Sequence, residues 1–329
     1  MGQPMRRRDF ITLLGGAAAW PLAARAQQPT LPVVGYLTTE RPDPVASRLN
    51  AFREGLSERG YVEGRNLTIE YRWADRNDQL PALADELVRR RVSAIFVDST
   101  PAVLAASGAT STIPIIFQLG TDPVELGLAA SLARPGGNLT GTVSLNVELG
   151  AKRLELLHEM VPTATIAALL IDPSSPALAQ TVTRDLQAAA DTLRLQSHIL
   201  RASSDREFDM VFATLTQVQA NTLVIGPGPL FLGGSKQLAA LTVRHAVPAI
   251  SPYREFAAAG GLISYGANLS ESYRQAGAYI ARILKGEKPA DLPVQRVTRV
   301  EFVINLKTAK ALGIAVPLPL LGRADEVIE

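Results

Sequence analysis

The 329-residue chain carries 33 Lys and Arg against 31 Asp and Glu, is 47% hydrophobic and contains no cysteine. Residues 1–26 hold four of the basic residues (Arg6, Arg7, Arg8 and Arg25) and one acid, Asp9, so the remainder has 29 basic and 30 acidic residues, a formal charge of −1. A near-neutral remainder argues against nucleic-acid binding, which needs a concentrated basic surface, and the lack of cysteine excludes disulfides, a thiolate metal site and a lipid-modified N-terminal Cys.

At the N-terminus, Arg7-Arg8-Asp9-Phe10-Ile11 resembles the twin-arginine export motif, with Arg6 where Ser or Thr is usual and Thr12 where Lys is common. The apolar run from Phe10 to Leu22 is too short for a stable membrane anchor. Small residues at Ala24 and Ala26 suit a signal-peptidase site. Residues 1–26 are therefore expected to be a signal peptide cleaved near Ala26, leaving a mature chain that starts at Gln27 in the periplasm. No later stretch reaches the length of a membrane span without charges.

Short apolar runs then alternate with amphipathic stripes. Strands are expected at Val33–Leu37, Leu67–Tyr71, Ala94–Val97, Ile113–Phe117, Ile166–Ile171, Leu223–Ile225, Ala249–Ile250, Leu262–Ser264 and Val300–Ile304. Most are continuously apolar, as parallel strands covered on both faces should be. Between them, Val45, Leu49, Phe52 and Leu56 share one helical face, as do Leu80, Leu83, Ala84, Leu87 and Val88. Leu178, Val182, Leu186, Ala189 and Leu193 repeat the pattern, followed by Phe208, Val211, Phe212 and Leu215. Further helices are expected over Val147–Met160, Leu269–Lys285 and Leu306–Leu312, and Asp122 before Pro123 reads as another helix start. Strand–helix alternation implies parallel α/β sheets with right-handed crossovers. Two such series occur, with chain crossings expected near Ser144–Val147 and Tyr265–Asn268.

Ligands of open parallel sheets sit outside the carboxyl ends of the strands. The residues that follow the apolar runs include small hydroxyls, a few carboxylates and one aromatic. They begin with Thr38-Thr39-Glu40, Asp98-Ser99-Thr100, and Gln118, Gly120, Thr121 and Asp122. The second series adds Asp172-Pro173-Ser174-Ser175, Gly226-Pro227-Gly228 and Ser251-Pro252-Tyr253. The candidate ligand-binding set is Thr38, Ser99, Thr100, Gln118, Thr121, Asp122, Thr140, Asp172, Gly226, Tyr253 and Tyr265. Asp122 or Asp172 is expected to accept from a ligand ammonium, and Ser99, Thr100 and main-chain N–H groups at helix starts to hold a carboxylate. Each of these residue types is also an ordinary helix cap.

Enzyme signatures are weak. His158, His198 and His245 are isolated, and no His-x-x-x-His pair offers a metal site. Gly-x-Ser-x-Gly and a phosphate loop ending in Gly-Lys-Ser/Thr are absent. No catalytic residue, metal or cofactor is expected.

Several stretches carry a family resemblance. Thr121-Asp122-Pro123-Val124, Ser131-Leu132-Ala133-Arg134-Pro135-Gly136-Gly137-Asn138-Leu139-Thr140-Gly141, Lys152-Arg153-Leu154-Glu155-Leu156-Leu157 and Lys288-Pro289-Ala290-Asp291-Leu292-Pro293-Val294 are similar to the ABC transporter substrate-binding family that includes tryptophan- and tyrosine-binding members. Ile304-Asn305-Leu306-Lys307-Thr308-Ala309-Lys310-Ala311-Leu312-Gly313 and Arg323-Ala324-Asp325-Glu326-Val327-Ile328 are similar too. The resemblance implies a type I periplasmic-binding-protein fold, in which two Rossmann-like lobes with parallel sheets close on a ligand about a hinge. The lobes would comprise 27–145 plus about 267–299, and about 146–266 plus about 300–329. It also implies a small-molecule ligand and an inner-membrane permease with its ATPase as partners; the protein is expected to be a monomer. One departure is Asp172-Pro173, where the family often has Asn-Pro; an acid there favours an amine-bearing ligand or simply caps a turn. A periplasmic sensor for a membrane receptor and a periplasmic α/β enzyme are the alternative functions.

Overall fold

The computed structural model describes residues 31–39, 42–144 and 146–329, so the expected signal peptide lies outside the described residues. The first series runs β1 (Val33–Thr38), α1 (Pro42–Ser57), β2 (Thr68–Trp73), α2 (Leu80–Arg89), β3 (Ala94–Val97), α3 (Thr100–Ala109), β4 (Ile115–Leu119) and β5 (Leu139–Ser144). The second runs α4 (Gly150–Met160), β6 (Ile166–Ile171), α5 (Pro176–Thr192), β7 (Gln196–Arg201), α6 (Phe208–Gln217), β8 (Thr222–Ile225), α7 (Pro229–Gly233), α8 (Ser235–Arg244), β9 (Ala249–Ser251), α9 (Arg254–Ala258) and β10 (Ile263–Ala267). The chain ends with α10 (Leu269–Leu284), β11 (Gln295–Val297), β12 (Val300–Asn305), α11 (Leu306–Ala311), α12 (Leu318–Leu321) and β13 (Glu326–Ile328).

These strands form two sheets. The first has the order β11-β5-β4-β3-β1-β2 and is parallel throughout. The second has the order β13-β12-β10-β9-β8-β6-β7 and is parallel except where β12 runs antiparallel to β10. Both sheets are covered on two faces. Tyr36, Phe52, Phe96, Tyr273 and Ile280 pack on one side of the first sheet, and Leu37, Leu87, Ile95, Val103 and Phe117 on the other. In the second, Leu157, Leu169, Leu186 and Ile304 fill one side and Leu170, Phe212, Ile225 and Phe256 the other. Double coverage explains why β3, β4, β6 and β8 read as unbroken apolar runs.

Among the described residues the chain passes between the sheets three times: between β5 and α4, between β10 and α10, and between β11 and β12. The second passage sends α10 back to the first sheet, where it lies against α1. Backbones approach closely there, because a Cβ at Gly55 would lie 1.8 Å from the Arg274 carbonyl oxygen and one at Gly277 would lie 2.1 Å from that of Phe52.

Four strands escape the apolar-run criterion. In β5, Thr140, Thr142 and Ser144 are buried, and their hydroxyls donate to the carbonyls of Leu292 (2.7 Å), Ser272 (3.4 Å) and Leu119 (3.3 Å). The partners are distant in sequence, so nothing local marks the segment as core. β7 is an edge strand with mostly polar residues, and β11 and β13 have three residues each. The helix expected at Asp122–Pro123 is a correction: it is a single turn over residues 123–127. Gly127 has φ +69° and ends it, and Gly136 and Gly137 (φ +74° and +61°) turn the chain again before β5.

Candidate functional site

The carboxyl ends of both sheets face one cleft. It encloses an empty volume of about 560 Å³, part of it open to solvent. The first lobe contributes Asp98, Ser99, Thr100 and Pro101 after β3, and Gln118, Gly120 and Thr121 at the end of β4. Ser144, Asn146 and Val147 come from the first interlobe passage and Leu269 from the second. The second lobe adds Ser175, Leu178, Pro227, Gly228, Pro229, Leu232 and Tyr253.

Local sequence explains why helices begin here. Pro101, Pro176 and Pro229 occupy the first positions of α3, α5 and α7, where a missing N–H costs nothing. The Ser99 hydroxyl caps α3 by accepting from the Ala102 N–H at 3.4 Å. Gly228 has φ +151°, which disfavours a side chain, and its N–H donates to the Tyr253 hydroxyl at 2.6 Å. That bond locks the Tyr253 ring into the wall.

Among the described residues, Asp98 is the only charged one lining the cleft. It is 6% exposed, and its Oδ2 accepts from the Tyr273 hydroxyl at 3.1 Å. Arg48 Nη1 donates to the same hydroxyl at 3.2 Å, and its guanidinium lies 5.4 Å from the Tyr273 ring centroid. Arg48 Nε is 3.6 Å from Glu255 Oε1 in α9, which belongs to the other lobe. Asn77 Nδ2 also donates across the lobes, to the Ser174 hydroxyl at 3.4 Å. Among the described residues no cluster of His, Asp or Glu could hold a metal ion.

Of the residues expected from sequence, Ser99, Thr100, Gln118, Thr121 and Tyr253 come together around the cleft. The others do not line it. Asp122 accepts from the Val124 N–H at 2.8 Å, and Asp172 accepts from the Ser174 N–H at 2.8 Å, so each carboxylate closes a local turn. Asp172 and Gly226 border a smaller neighbouring pocket of about 180 Å³. Thr38 is fully buried at the end of β1, and the Thr140 hydroxyl is spent on Leu292. Tyr265 packs edge-on against Phe302, with ring centroids 5.9 Å apart. Asp98 was within reach of sequence reasoning, because it directly follows a strand. Asn146 and Val147 were not, because they follow a strand with no apolar run.

A family model described as "ABC transporter substrate binding protein" matches residues 42–328. A tyrosine-binding protein of Clostridioides difficile strain R20291 is 28% identical over 264 residues, 79% of this chain and 75% of that protein. Among solved structures, an ABC domain from Streptococcus pneumoniae in complex with L-Trp superposes with a TM-score of 0.82 at 24% identity, covering 91% of this chain and 100% of that one. The ligand-free, open structure of a substrate-binding protein with adhesive properties from Clostridium difficile gives a TM-score of 0.63 at 22% identity, covering 91% and 99%. These likenesses, with the two sheets and three passages, identify the type I periplasmic-binding-protein fold.

Proposed function

The chain belongs to the ABC transporter substrate-binding protein family, and on that premise we propose that it captures an amino acid, or a closely related amine-bearing carboxylate, in the interlobe cleft. The observation that carries this reading is a single cleft lined by strand ends of both sheets, with one carboxylate among hydroxyls and amides. Asp98 accepts from the ligand ammonium, replacing Asp122 and Asp172 in that role. Ser99, Thr100 and Thr121 add polar contacts. Val147, Leu178, Leu232 and Leu269 cover the ligand's apolar part, with Tyr253 as an aromatic wall. The tyrosine-binding relative and the L-Trp complex support the amino-acid class.

The lobes, 27–145 plus about 267–299 and about 146–266 plus about 300–329, turn about the passages between them, so that ligand shifts an open–closed equilibrium. The cross-lobe contacts Arg48–Glu255 and Asn77–Ser174 support reading the present arrangement as closed. The closer superposition on the L-Trp complex than on the open, ligand-free structure supports it too. The closed monomer then delivers its ligand to an inner-membrane permease and ATPase, after export directed by Arg7-Arg8. Lysine at both arginines should retain precursor in the cytoplasm; normal export of that variant would sink the twin-arginine route.

The binding reading is tested by thermal shift and calorimetry with the L-amino acids, their amides and small carboxylates. A small subset of amino acids should raise the melting temperature by mass action and bind with one-to-one stoichiometry. Binding by none of them, or conversion of a bound compound to product, overturns it.

A further inference from the structure

Arg153, in the first turns of α4, is 1% exposed and forms no ion pair with a described carboxylate. Its Nη2 donates to the Asn146 carbonyl at 2.5 Å and its Nη1 to the Tyr265 carbonyl at 3.2 Å. Its Nε is buried with no hydrogen-bond partner. Burial pushes the guanidinium pKa down to about 10, with Tyr253 and Tyr265 acting the other way. An arginine in this range is still charged at neutral pH. A buried cation costs several kcal/mol unless its charge is compensated. Two carbonyl dipoles compensate only in part, and among the described residues no carboxylate pairs with the group.

The position of this cation gives it a role. Its carbonyl partners lie in the first interlobe passage and on β10 just before the second. The two are also tied to each other, since the Ala267 N–H donates to Asn146 Oδ1 at 2.8 Å. Asn146, Val147 and Tyr253 line the cleft, so Arg153 stands one residue layer behind its wall. The Asn146 carbonyl and the Val147 N–H belong to one peptide group, so a guanidinium bonded to that carbonyl strengthens the N–H as a donor. The cleft therefore has a carboxylate, Asp98, on one wall and a buried cation behind another.

We propose that Arg153 sets the preference of the cleft for a ligand bearing a carboxylate, which lies against the Asn146–Val147–Tyr253 wall and supplies the missing negative charge. Arg153 does not touch the ligand; it is a positioning residue that acts through the wall. The inference deepens the amino-acid reading and rests on the cleft being the ligand site.

The probe is sodium acetate, compared with acetamide at matched ionic strength, in thermal denaturation of the mature chain. Acetate at about 100 mM should raise the wild-type melting temperature by about 2 °C over acetamide. Arg153→Gln should lose that difference and Arg153→Lys should keep most of it. Gly150→Asp leaves Arg153 in place and supplies a carboxylate. A Cβ at Gly150 lies 3.9 Å from Arg153 Nη2 and no closer than 3.4 Å to Leu186, and an acid suits the helix start. This variant should also lose the acetate response, and it decides the matter if Arg153→Gln does not fold. An equal acetate response in wild type, Arg153→Gln and Gly150→Asp, or none in wild type, overturns the inference. A panel in which no amino acid binds while the acetate response depends on Arg153 would reject the amino-acid reading and leave this one standing.

Discussion

Asp98 and Asp122 follow neighbouring strands of the same sheet, yet their carboxylates meet different surroundings. Asp98 is buried at the cleft beside Tyr273, whereas Asp122 turns back on its own backbone to the Val124 N–H. A carboxylate closing an exposed turn contributes an ordinary hydrogen bond, about 1 kcal/mol. One that pairs with a buried ammonium contributes more, and its loss costs about 2–5 kcal/mol of binding. Asp122→Ala is therefore expected to bind its amino acid with wild-type affinity and to lose about 1 kcal/mol of stability. Asp98→Asn, which keeps the shape, should weaken binding by about 2–5 kcal/mol. Calorimetry on both variants decides between them; lost binding in Asp122→Ala with full affinity in Asp98→Asn would reverse the assignment. Sequence supplied both carboxylates as strand-end candidates. Which of them faces the cleft depends on the turn that each enters, and Pro123 and Gly127 set that turn for Asp122.

At the scale of elements, the pair α1 and α10 shows how a late segment is recruited to an early lobe. α10 follows the second sheet's β10, but it buries Tyr273, Ala276 and Ile280 against Phe52 and Leu56 of α1. Gly55 and Gly277 let the two backbones come together. Gly277→Ala would force a methyl within 2.1 Å of the Phe52 carbonyl oxygen, a backbone atom that cannot swing away. The helices would have to separate, and overpacking of this kind costs about 1–3 kcal/mol or more. A lower melting temperature is expected, against the slight gain that Gly→Ala gives in an exposed helix. An unchanged or raised melting temperature would show that the helices are not in close contact. The amphipathic stripe of α10 was readable from its 3.6-residue period. Its partner was not, because Ala and Gly positions say that something comes near without saying what.

For the whole molecule, the decisive arrangement is two sheets with their carboxyl ends turned toward each other across three chain passages. Arg48 and Glu255 approach across the cleft from opposite lobes, and Arg48 also reaches the Tyr273 hydroxyl that donates to Asp98. If the lobes close as proposed, such a pair acts on the open–closed equilibrium and not on ligand identity. Glu255→Ala is expected to weaken binding of every ligand by one common factor, roughly fivefold for a pair worth about 1 kcal/mol. It should also enlarge the radius of gyration of the ligand-free protein. Small-angle scattering and calorimetry with two ligands are the check; a loss confined to one ligand would make Glu255 a recognition residue instead.

What the amino-acid sequence determined by itself is the α/β class, the family and most buried strands. Apolar runs such as Ala94–Val97 and Ile166–Ile171, alternating with 3.6-residue stripes, have few folded forms other than parallel sheets covered by helices. It also placed Ser99, Thr100, Gln118, Thr121 and Tyr253 at strand ends, where ligands of such sheets sit. Only the tertiary structure decided which strand ends share a cleft and which carboxylate faces it. It alone showed Thr140 and Thr142 as core, and a buried Arg153 joining the first passage to β10, more than a hundred residues away. The reason is physical. Periodicity reports burial along one element, whereas the partner of a hydroxyl, a carboxylate or a guanidinium is set by contacts between elements, which local sequence does not encode.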